Sequence, residues 1–195
     1  MIGRMIGRPA PAALAAAAAL ATLPAALATA AITVPPKAER GKAGAACRAG
    51  ESGPAVRVLV TGLKDRDGTL RLELYPANDQ DFLAPDKVLI AAGKPFKRVE
   101  QRVPSVEGTT MCIRAPASGR YALSVLHDRD GDGKFGFLRD GVGFSNNPRL
   151  GRRKPEAATV ALNVGPGVAQ VQIVMNYRRG LGFGPLAGAE RTNAR

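Results

Sequence analysis

Aromatic residues are scarce in this chain, and tryptophan is absent. Of its 195 residues, six are Phe and three are Tyr. Proteins that bind single-stranded nucleic acid stack the bases on aromatic side chains set among basic ones. The basic stretches over residues 149–154 and 177–180 have no interleaving of this kind. We therefore expect no nucleic-acid partner, despite a formal net charge of +12.

The surplus of Lys and Arg has two other interpretations. A basic surface outside the cytoplasm attracts anionic lipid or polysaccharide of the cell envelope, and these are the partners that the charge favours. Alternatively, the charge is a solvated surface that only confers solubility. The sequence leaves both interpretations open.

The first thirty residues have the pattern of an export signal. Arg4 and Arg8 precede an uncharged, Ala-rich run, and the Ala-Thr-Ala sequence that ends at Ala30 fits a cleavage site. The pattern predicts a signal peptide over residues 1–30, cut after Ala30, and a periplasmic or secreted protein. An uncleaved anchor is the alternative because the run is long enough to span a bilayer. Cleavage is favoured because alanine is only weakly apolar and prolines interrupt the run.

The sequence has only two cysteines, Cys47 and Cys112. Cys47 lies well past the apolar run, which argues against a lipoprotein. In an oxidising compartment a single pair of cysteines usually forms a disulfide. We therefore expect a Cys47–Cys112 bond that ties the N-terminal arm to a central strand. Two free thiols are the alternative.

Short β-strand patterns fill most of the chain beyond residue 54. Residues 31–54 are rich in Pro, Gly, Ala and charge without a period, which predicts a flexible arm. The clearest strand is 69–76, where apolar and polar residues alternate strictly. It is predicted to form a hairpin with 56–63 through a loop that contains Asp-Gly. Further strands are predicted over residues 96–106, 109–116, 117–128, 157–165 and 168–177.

The order of these segments predicts an all-β fold. None of them has the period of an amphipathic helix, and about seven short strands with Gly- and Pro-rich turns are typical of a sandwich. We predict a single antiparallel β-sandwich, Ig-like or transthyretin-like, over residues 55–177. Residues 178–195 are rich in Gly, Arg and Asn and are predicted to be a disordered basic tail.

The stretch HDRDGDGKFG is the most informative part of the sequence. Asp128, Asp130 and Asp132 alternate and Gly133 follows, which is the beginning of an EF-hand-type calcium loop. Oxygen ligands from alternate residues converge on one point, and glycine permits the positive φ of a sharp turn. The pattern predicts Ca²⁺ as the cofactor, with Lys134 contributing its backbone carbonyl.

The pattern departs from an EF-hand at its end. Arg139 stands where the bidentate Glu is expected, and Asp140 is the candidate substitute. A strand rather than a helix enters the loop, so we expect a calcium-loop-like turn on a β scaffold. A hydrogen-bonded polar turn is the alternative, because Asp and Gly are ordinary turn residues. Four neighbouring carboxylates would repel each other without a cation, which favours the metal.

A catalytic role is the least favoured interpretation. His127 is the only histidine, and Ser145 lies in the sequence GFSNN, which lacks the G-x-S-x-G pattern of a nucleophile elbow. We predict no catalytic residue and a non-enzymatic binding or structural module of the envelope. One alternative is a carbohydrate- or lipid-binding module without metal, which a cleft lined by exposed aromatic residues would favour. The other is a hydrolase that uses His127, Asp128 and Ser145.

Two motifs in combination make the chain similar to a known family. HDRDGDGKFG is followed by GVGFSNNP, and residues 55–177 resemble the DUF2141 family of secreted bacterial proteins. The resemblance implies an envelope location and a β-sandwich, and it implies no activity. Asp130 and Asp132 stand where the family often has Asn, which makes this loop more acidic. The matching positions are Gly119, Tyr121, Ala122, His127, Asp128, Gly133, Lys134, Gly143, Phe144, Ser145, Asn146 and Asn147.

Overall fold

The computed structural model describes residues 32–106 and 108–186, and most of these lie in two β-sheets. The predicted signal peptide over residues 1–30 lies outside the described residues, as does the end of the predicted tail over 187–195. Among the helices of the described part, none has the length and apolar character needed to cross a membrane.

The described residues form ten strands and two short helices. The strands are β1 (Ala55–Thr61), β2 (Thr69–Pro76), β3 (Lys97–Arg102), β4 (Thr109–Arg114), β5 (Gly119–Asp128), β6 (Gly141–Phe144), β7 (Ala161–Val164), β8 (Val168–Val174), β9 (Asn176–Arg179) and β10 (Gly182–Pro185). The helices are α1 (Asp86–Ala91) and α2 (Ala157–Val160), and a 3₁₀ turn spans Lys37–Glu39.

The two sheets differ in size. The small sheet has the order β4-β1-β8, and the large sheet has the order β10-β9-β6-β5-β2-β3 with β7 alongside β5. The predicted all-β sandwich is therefore confirmed. One pair departs from the antiparallel expectation, because β1 and β8 run parallel.

The predicted hairpin between residues 56–63 and 69–76 is wrong. β1 pairs with β4 and β8, whereas β2 pairs with β3 and β5 in the other sheet. The Asp-Gly loop crosses between the sheets, so that both strands turn their alternate apolar side chains into one core. The chain also crosses between the sheets after β3 and after β7, because β4 and β8 belong to the small sheet.

The main core fills the space between the sheets. Alternate residues of each strand supply it, as the period of two requires. Full burial of a Val, Leu or Met side chain contributes about 1.5–3 kcal/mol, so this layer is the main source of stability. Its most deeply buried members are Val56, Val58, Val60, Leu70, Leu72, Leu74, Met111, Ile113, Leu123, Val125, Ile173 and Met175.

A second apolar cluster covers part of the outer face of the large sheet. Phe144 packs edge-on against Phe82, with 5.8 Å between the ring centroids, and Tyr75 contacts both Phe82 and Phe96. Helices α1 and α2 contribute Leu89, Ala157 and Val160 to this cluster. Both helices are too short to show a helical period, and α2 occupies the first part of the strand predicted over 157–165.

The N-terminal arm is fastened to the sandwich. The predicted Cys47–Cys112 disulfide is confirmed, with 5.6 Å between the two Cα atoms. Arg40 Nη1 lies 3.1 Å from Asp86 Oδ1 of α1, and Ala45 is buried. The described part of the arm is therefore anchored along its length rather than extended as a free linker.

The predicted tail begins too early. Residues 182–185 form β10, which pairs antiparallel with β9 and extends the large sheet. Phe183 of this edge strand packs against Phe137 in the loop that follows β5. Residues 178–186 therefore belong to the domain.

Breaking the disulfide is expected to destabilise the protein. The bond closes a long loop, with a sequence separation of 65, and such loops contribute about 2–4 kcal/mol to the free energy of unfolding. Urea unfolding with and without reductant measures this difference. The Cys47→Ser/Cys112→Ser variant is the control and should not respond to reductant. An unchanged unfolding midpoint after verified reduction of the native protein would contradict the expectation.

Candidate ligand cleft and acidic loop

The loop between β5 and β6 is folded around the carboxylate of Asp128. Asp128 Oδ1 accepts the backbone N–H of Gly131, and Oδ2 accepts that of Gly133, both at 2.9 Å. Both glycines have positive φ, at +71° and +73°. Because L-residues with side chains avoid this region, the glycines allow the chain to curl around a side chain that is only 2% exposed.

Asp140 closes the other end of the same loop. Its Oδ1 accepts the N–H of Arg129 at 3.0 Å, and its Oδ2 accepts the N–H of Gly136 at 2.6 Å. Asp140 is 1% exposed. Two buried carboxylates thus satisfy four backbone N–H groups of one short loop, and a buried carboxylate is stable only with partners of this kind.

Three of the predicted metal ligands lie together. Asp128, Asp130 and Asp140 each offer a carboxylate oxygen, and these oxygens lie within 4.8 Å of one another. Asp132 is not part of this group, and its Oδ1 accepts the N–H of Lys134 at 2.7 Å. Asp140, one position after the twelfth residue of a calcium loop, therefore belongs to the cluster, whereas Asp132, the third aspartate of the motif, does not.

Two arginines balance part of this negative charge. Arg139 Nη1 lies 3.1 Å from Asp130 Oδ2, and Arg71 Nη2 lies 3.9 Å from Asp128 Oδ2. The Arg139 side chain is 70% exposed, so that this pair is weak and easily displaced.

His127 belongs to a buried hydrogen-bond chain. Its Nε2 lies 2.8 Å from the Asp67 carbonyl oxygen, which only accepts, so Nε2 carries the proton. Nδ1 accepts the hydroxyl proton of Tyr177 at 2.7 Å, and that hydroxyl accepts the N–H of Lys64 at 3.0 Å. Burial raises the pKa of Tyr177 to about 12, which keeps the phenol protonated as this chain requires.

Burial lowers the pKa of His127 below its ordinary value, and the hydrogen bond to Asp67 only partly offsets this. Because the folded state favours the neutral ring, the unfolded state protonates first as the pH falls below about 6.5. His127 therefore stabilises the fold above this pH, and that contribution is lost as the pH falls towards the lower pKa of the folded state.

The only histidine of the chain is expected to titrate below pH 6.5. A pH series of NMR spectra of its ring Cε1–H group measures this pKa through a single signal. A midpoint at or above 6.5 would show that the ring is not held neutral by its surroundings. Denatured protein in urea supplies the reference value.

Ser145 is engaged by the backbone of its neighbours. Its hydroxyl accepts the N–H of Leu123 at 3.1 Å and donates to the carbonyl of Val160. His127 lies four positions further along β5 than Leu123, which is roughly 13 Å at about 3.3 Å per residue. Ser145 and His127 therefore do not form a nucleophile–base pair.

The two asparagines after Ser145 connect three elements. The Asn146 side-chain amide donates to the carbonyl of Ala161 at 2.8 Å. Asn147 pairs with β8 as a neighbouring strand would, because it donates to the Gln172 carbonyl at 3.0 Å and accepts the Val174 N–H at 2.8 Å. Both asparagines have positive φ, at 62° and 46°, a conformation that Asn tolerates better than most residues. The motif GFSNN therefore joins the two sheets.

Gly143 is required by close packing. A Cβ at this position would lie 2.5 Å from Cγ2 of Ile173 and 3.0 Å from Sδ of Met175, both of which are fully buried. The branched Ile173 side chain has no room to move away in a packed core. The glycine therefore sets the distance between β6 and the chain that crosses beneath it.

Gly143→Ala is expected to lower the free energy of unfolding by about 1–3 kcal/mol, because the added methyl overpacks the core. Chemical denaturation measures the change. Gly165→Ala is the matched control, since a Cβ there meets no atom within 4 Å, and its effect should stay within about 0.5 kcal/mol. Equal stability of the two variants would contradict this view of the motif.

A cleft of about 660 Å³ lies on the outer face of the large sheet, beside the acidic loop. Its floor is formed by side chains of β2, β5 and β6 that point away from the main core. These floor residues are Arg71, Glu73, Ser124, Leu126, Val142 and Phe144.

Three phenylalanines form one wall of this cleft. Phe183 of β10 lies 5.1 Å from Phe137 and 5.8 Å from Phe135 between ring centroids, and both partners belong to the acidic loop. The guanidinium of Arg178 lies 5.6 Å from the centre of the Phe137 ring. Phe135 and Phe137 remain about half exposed, at 48% and 49%. We call Phe135, Phe137 and Phe183 the aromatic wall.

The opposite rim is basic. It comprises residues 150–155, of which Arg152 and Arg153 are exposed and make no salt bridge with any of the described residues. Lys154 is instead held in place, because its Nζ donates to the carbonyls of Asp79 and Phe82 at 2.7 Å each. The basic stretch of the sequence is therefore brought directly opposite the aromatic wall.

The sequence pattern located the loop but not the cleft. The wall joins residues from the loop with a residue of β10, in a segment predicted to be disordered. The small number of aromatic residues argues only against stacking on nucleic-acid bases. Three of the six phenylalanines nevertheless come together in the wall of the cleft. The one available signal was the pair Phe135 and Phe137, two aromatic residues that with Leu138 stand in a loop whose other residues are polar or Gly.

The fold and the site define an all-β sandwich that carries a ligand-sized cleft beside an acidic loop. The chain belongs to the family described as "Uncharacterized protein conserved in bacteria (DUF2141)", whose sequence profile matches residues 58–172. No curated protein and no solved structure matches the chain.

Proposed function

We propose that this protein is a non-enzymatic binding module of the cell envelope and that its ligand site is the cleft beside the aromatic wall. The observation that carries the proposal is the volume of about 660 Å³ together with an exposed apolar lining. Sites for small molecules are mostly apolar concavities of about 300–1,000 Å³.

The distribution of exposed apolar side chains supports this location. Soluble proteins scatter such side chains singly, and a group of them indicates a binding surface. Within the described residues, nine large apolar side chains are exposed, and four of these line the cleft. The four are Leu83, Phe135, Phe137 and Leu181.

The polar groups of the floor favour an apolar ligand over a sugar. Arg71 Nε lies 3.0 Å from Glu100 Oε1. Glu73 accepts hydrogen bonds from Arg98 at 2.7 Å and from the Tyr75 hydroxyl at 2.6 Å. These ion pairs fix the direction of the floor's charged groups, so that their remaining donors and acceptors are not free to turn towards sugar hydroxyls.

Two further observations support a non-enzymatic role outside the cytoplasm. His127 and Ser145 each hydrogen-bond within the fold and lie far apart, so that the alternative of a hydrolase based on them has no geometric support. Export is supported by the signal-like N-terminal sequence and by the Cys47–Cys112 disulfide, since disulfides persist in oxidising compartments.

Calcium bound by the acidic loop is the second part of the proposal. Three carboxylates with oxygens within 4.8 Å of one another suit a hard cation with oxygen ligands, and two of them are buried. A carboxylate oxygen has two lone pairs, so one that accepts an N–H can still bind a metal. Calcium would stiffen the loop that carries Phe135 and Phe137.

Calcium binding is expected to depend on Asp130 and not on Asp132. Asp130→Asn removes a charge from the carboxylate cluster, so calcium affinity should fall by about tenfold or more. Asp132→Asn is the matched control, since Asp132 lies outside the cluster. Calorimetric titration and the calcium-dependent rise in melting temperature measure binding. The absence of binding at millimolar calcium would contradict the metal site.

Apolar probe binding is expected to depend on the aromatic wall. Phe137→Ala should weaken the binding of the neutral dye Nile red by about tenfold, because it removes a ring from the cleft. Leu138→Ala is the control, since Leu138 is the next residue, is 67% exposed and does not line the cleft. Dye fluorescence gives both affinities. Equal losses in the two variants, or no saturable binding, would contradict the proposed site.

A further inference from the structure

We propose that the cleft binds a single-chain amphiphile with an anionic head, of the fatty-acid type. The alkyl chain would lie on Leu126 and Phe144 under the aromatic wall, with the head between Arg152 and Arg153. This inference rests on the proposed function and adds the class of ligand.

The apolar part of the cleft matches an alkyl chain. Its floor is continuous across two paired strands, because Leu126 of β5 lies opposite Val142 of β6 in the register of the sheet. Phe144 continues the same floor. An alkyl chain offers no hydrogen-bonding groups, and it therefore suits a floor whose charged members are already paired.

The charge of the lining selects the sign of the head group. Four cationic side chains and one acidic side chain line the cleft, namely Arg71, Arg152, Arg153, Lys154 and Glu73. Glu73 is neutralised by Arg98, whose Nη2 lies 2.7 Å from Glu73 Oε1. Arg71 is likewise paired, with Glu100, so that the positive charge of the lining lies at the rim, and a ligand with a negative end is complementary to it.

Among the cations that line the cleft, Arg152 and Arg153 make no ion pair with any described residue and can bind a ligand. Lys154 is engaged by two carbonyl groups, and Arg71 by Glu100. A guanidinium presents two parallel N–H donors, which match the two oxygens of a carboxylate. The two arginines stand at the rim of the cleft, and a chain lying on the floor would place its head there.

The size of the cleft favours a single molecule over a membrane surface. A volume of about 660 Å³ is that of a site for one small molecule, enclosed between the aromatic wall and the basic rim. Membrane-bound surfaces instead present apolar side chains that reach outwards into the lipid. Here Phe135 and Phe137 each pack against Phe183 of β10, and the three rings line one side of the cleft.

Three ligands with the same chain and different heads test this inference. Dodecanoate, dodecanol and dodecyltrimethylammonium, each below its micellar concentration, are titrated against Nile red bound to the protein. Dodecanoate should bind about tenfold more tightly than dodecanol, and the cationic ligand should bind most weakly. Phe137→Ala should weaken the binding of dodecanoate and dodecanol alike.

A charge-matched pair of variants assigns the preference to the rim. Arg152→Ser/Arg153→Ser should remove the advantage of dodecanoate while leaving dodecanol affinity unchanged. Arg57→Ser/Arg120→Ser makes the same change in net charge at exposed positions away from the cleft and should preserve the advantage.

The outcomes separate this inference from the function on which it rests. Equal affinities for the three ligands, all weakened by Phe137→Ala, would overturn the anionic head and leave the apolar cleft standing. If no ligand binds, or if Phe137→Ala does not weaken the binding, both the anionic head and the apolar cleft would be overturned. Binding to anionic phospholipid vesicles that depends on Arg152 and Arg153, without binding of monomeric dodecanoate, would overturn the single-chain ligand in favour of a membrane surface.

Discussion

Two buried carboxylates fix the loop between β5 and β6, and the cleft on the outer face of the large sheet depends on that loop. Asp128 and Asp140 together accept four backbone N–H groups, and these bonds fold the loop between β5 and β6 into one shape. The loop places Phe135 and Phe137 against Phe183. Without this folding the cleft would lose two of the three rings of its wall. A calcium ion bound to the carboxylate cluster would reinforce the same arrangement.

The motif GFSNN, residues 143–147, follows this loop and joins the two sheets beneath it. The Asn147 side chain, just after β6, hydrogen-bonds the backbone of β8 in the small sheet. The Ser145 hydroxyl accepts a backbone N–H of β5 in the large sheet. Gly143 allows β6 to approach Ile173 and Met175 closely. The polar residues of this motif are therefore structural, although their chemical types are also those of catalytic sites. Both asparagines adopt a positive φ, which explains why Asn occupies these two positions.

Local patterns predicted much of this structure. Strict alternation in β2, the other short strand patterns and the frequent turns indicated an all-β sandwich, and two cysteines sufficed for the disulfide. The aspartate spacing located the loop, and two of its three alternating aspartates lie in the carboxylate cluster. Asp132 does not, because its position after Gly131 turns it outwards to the N–H of Lys134.

Long-range arrangement was beyond the same patterns. The alternation of apolar and polar residues along β1 and β2 shows which side chains are buried. The same alternation occurs whether the two strands belong to one sheet or to two facing sheets. The Asp-Gly loop therefore predicts a hairpin, although the loop crosses between the two sheets. The cleft combines residues of the β5–β6 loop, the basic rim and β10, three segments that have no common period. Only the folded chain brings the positive charge and the phenylalanines together.

The central claim is that the aromatic wall contacts the apolar part of a ligand. The most direct test is NMR on protein with labelled phenylalanine, which gives a small set of ring signals from six residues. Nuclear Overhauser contacts from the dodecanoate chain are predicted at Phe135, Phe137 and Phe183, and none at Phe82 or Phe96, which are buried under α1. Contacts to no phenylalanine of the wall, at a concentration where dodecanoate is bound, would contradict the account.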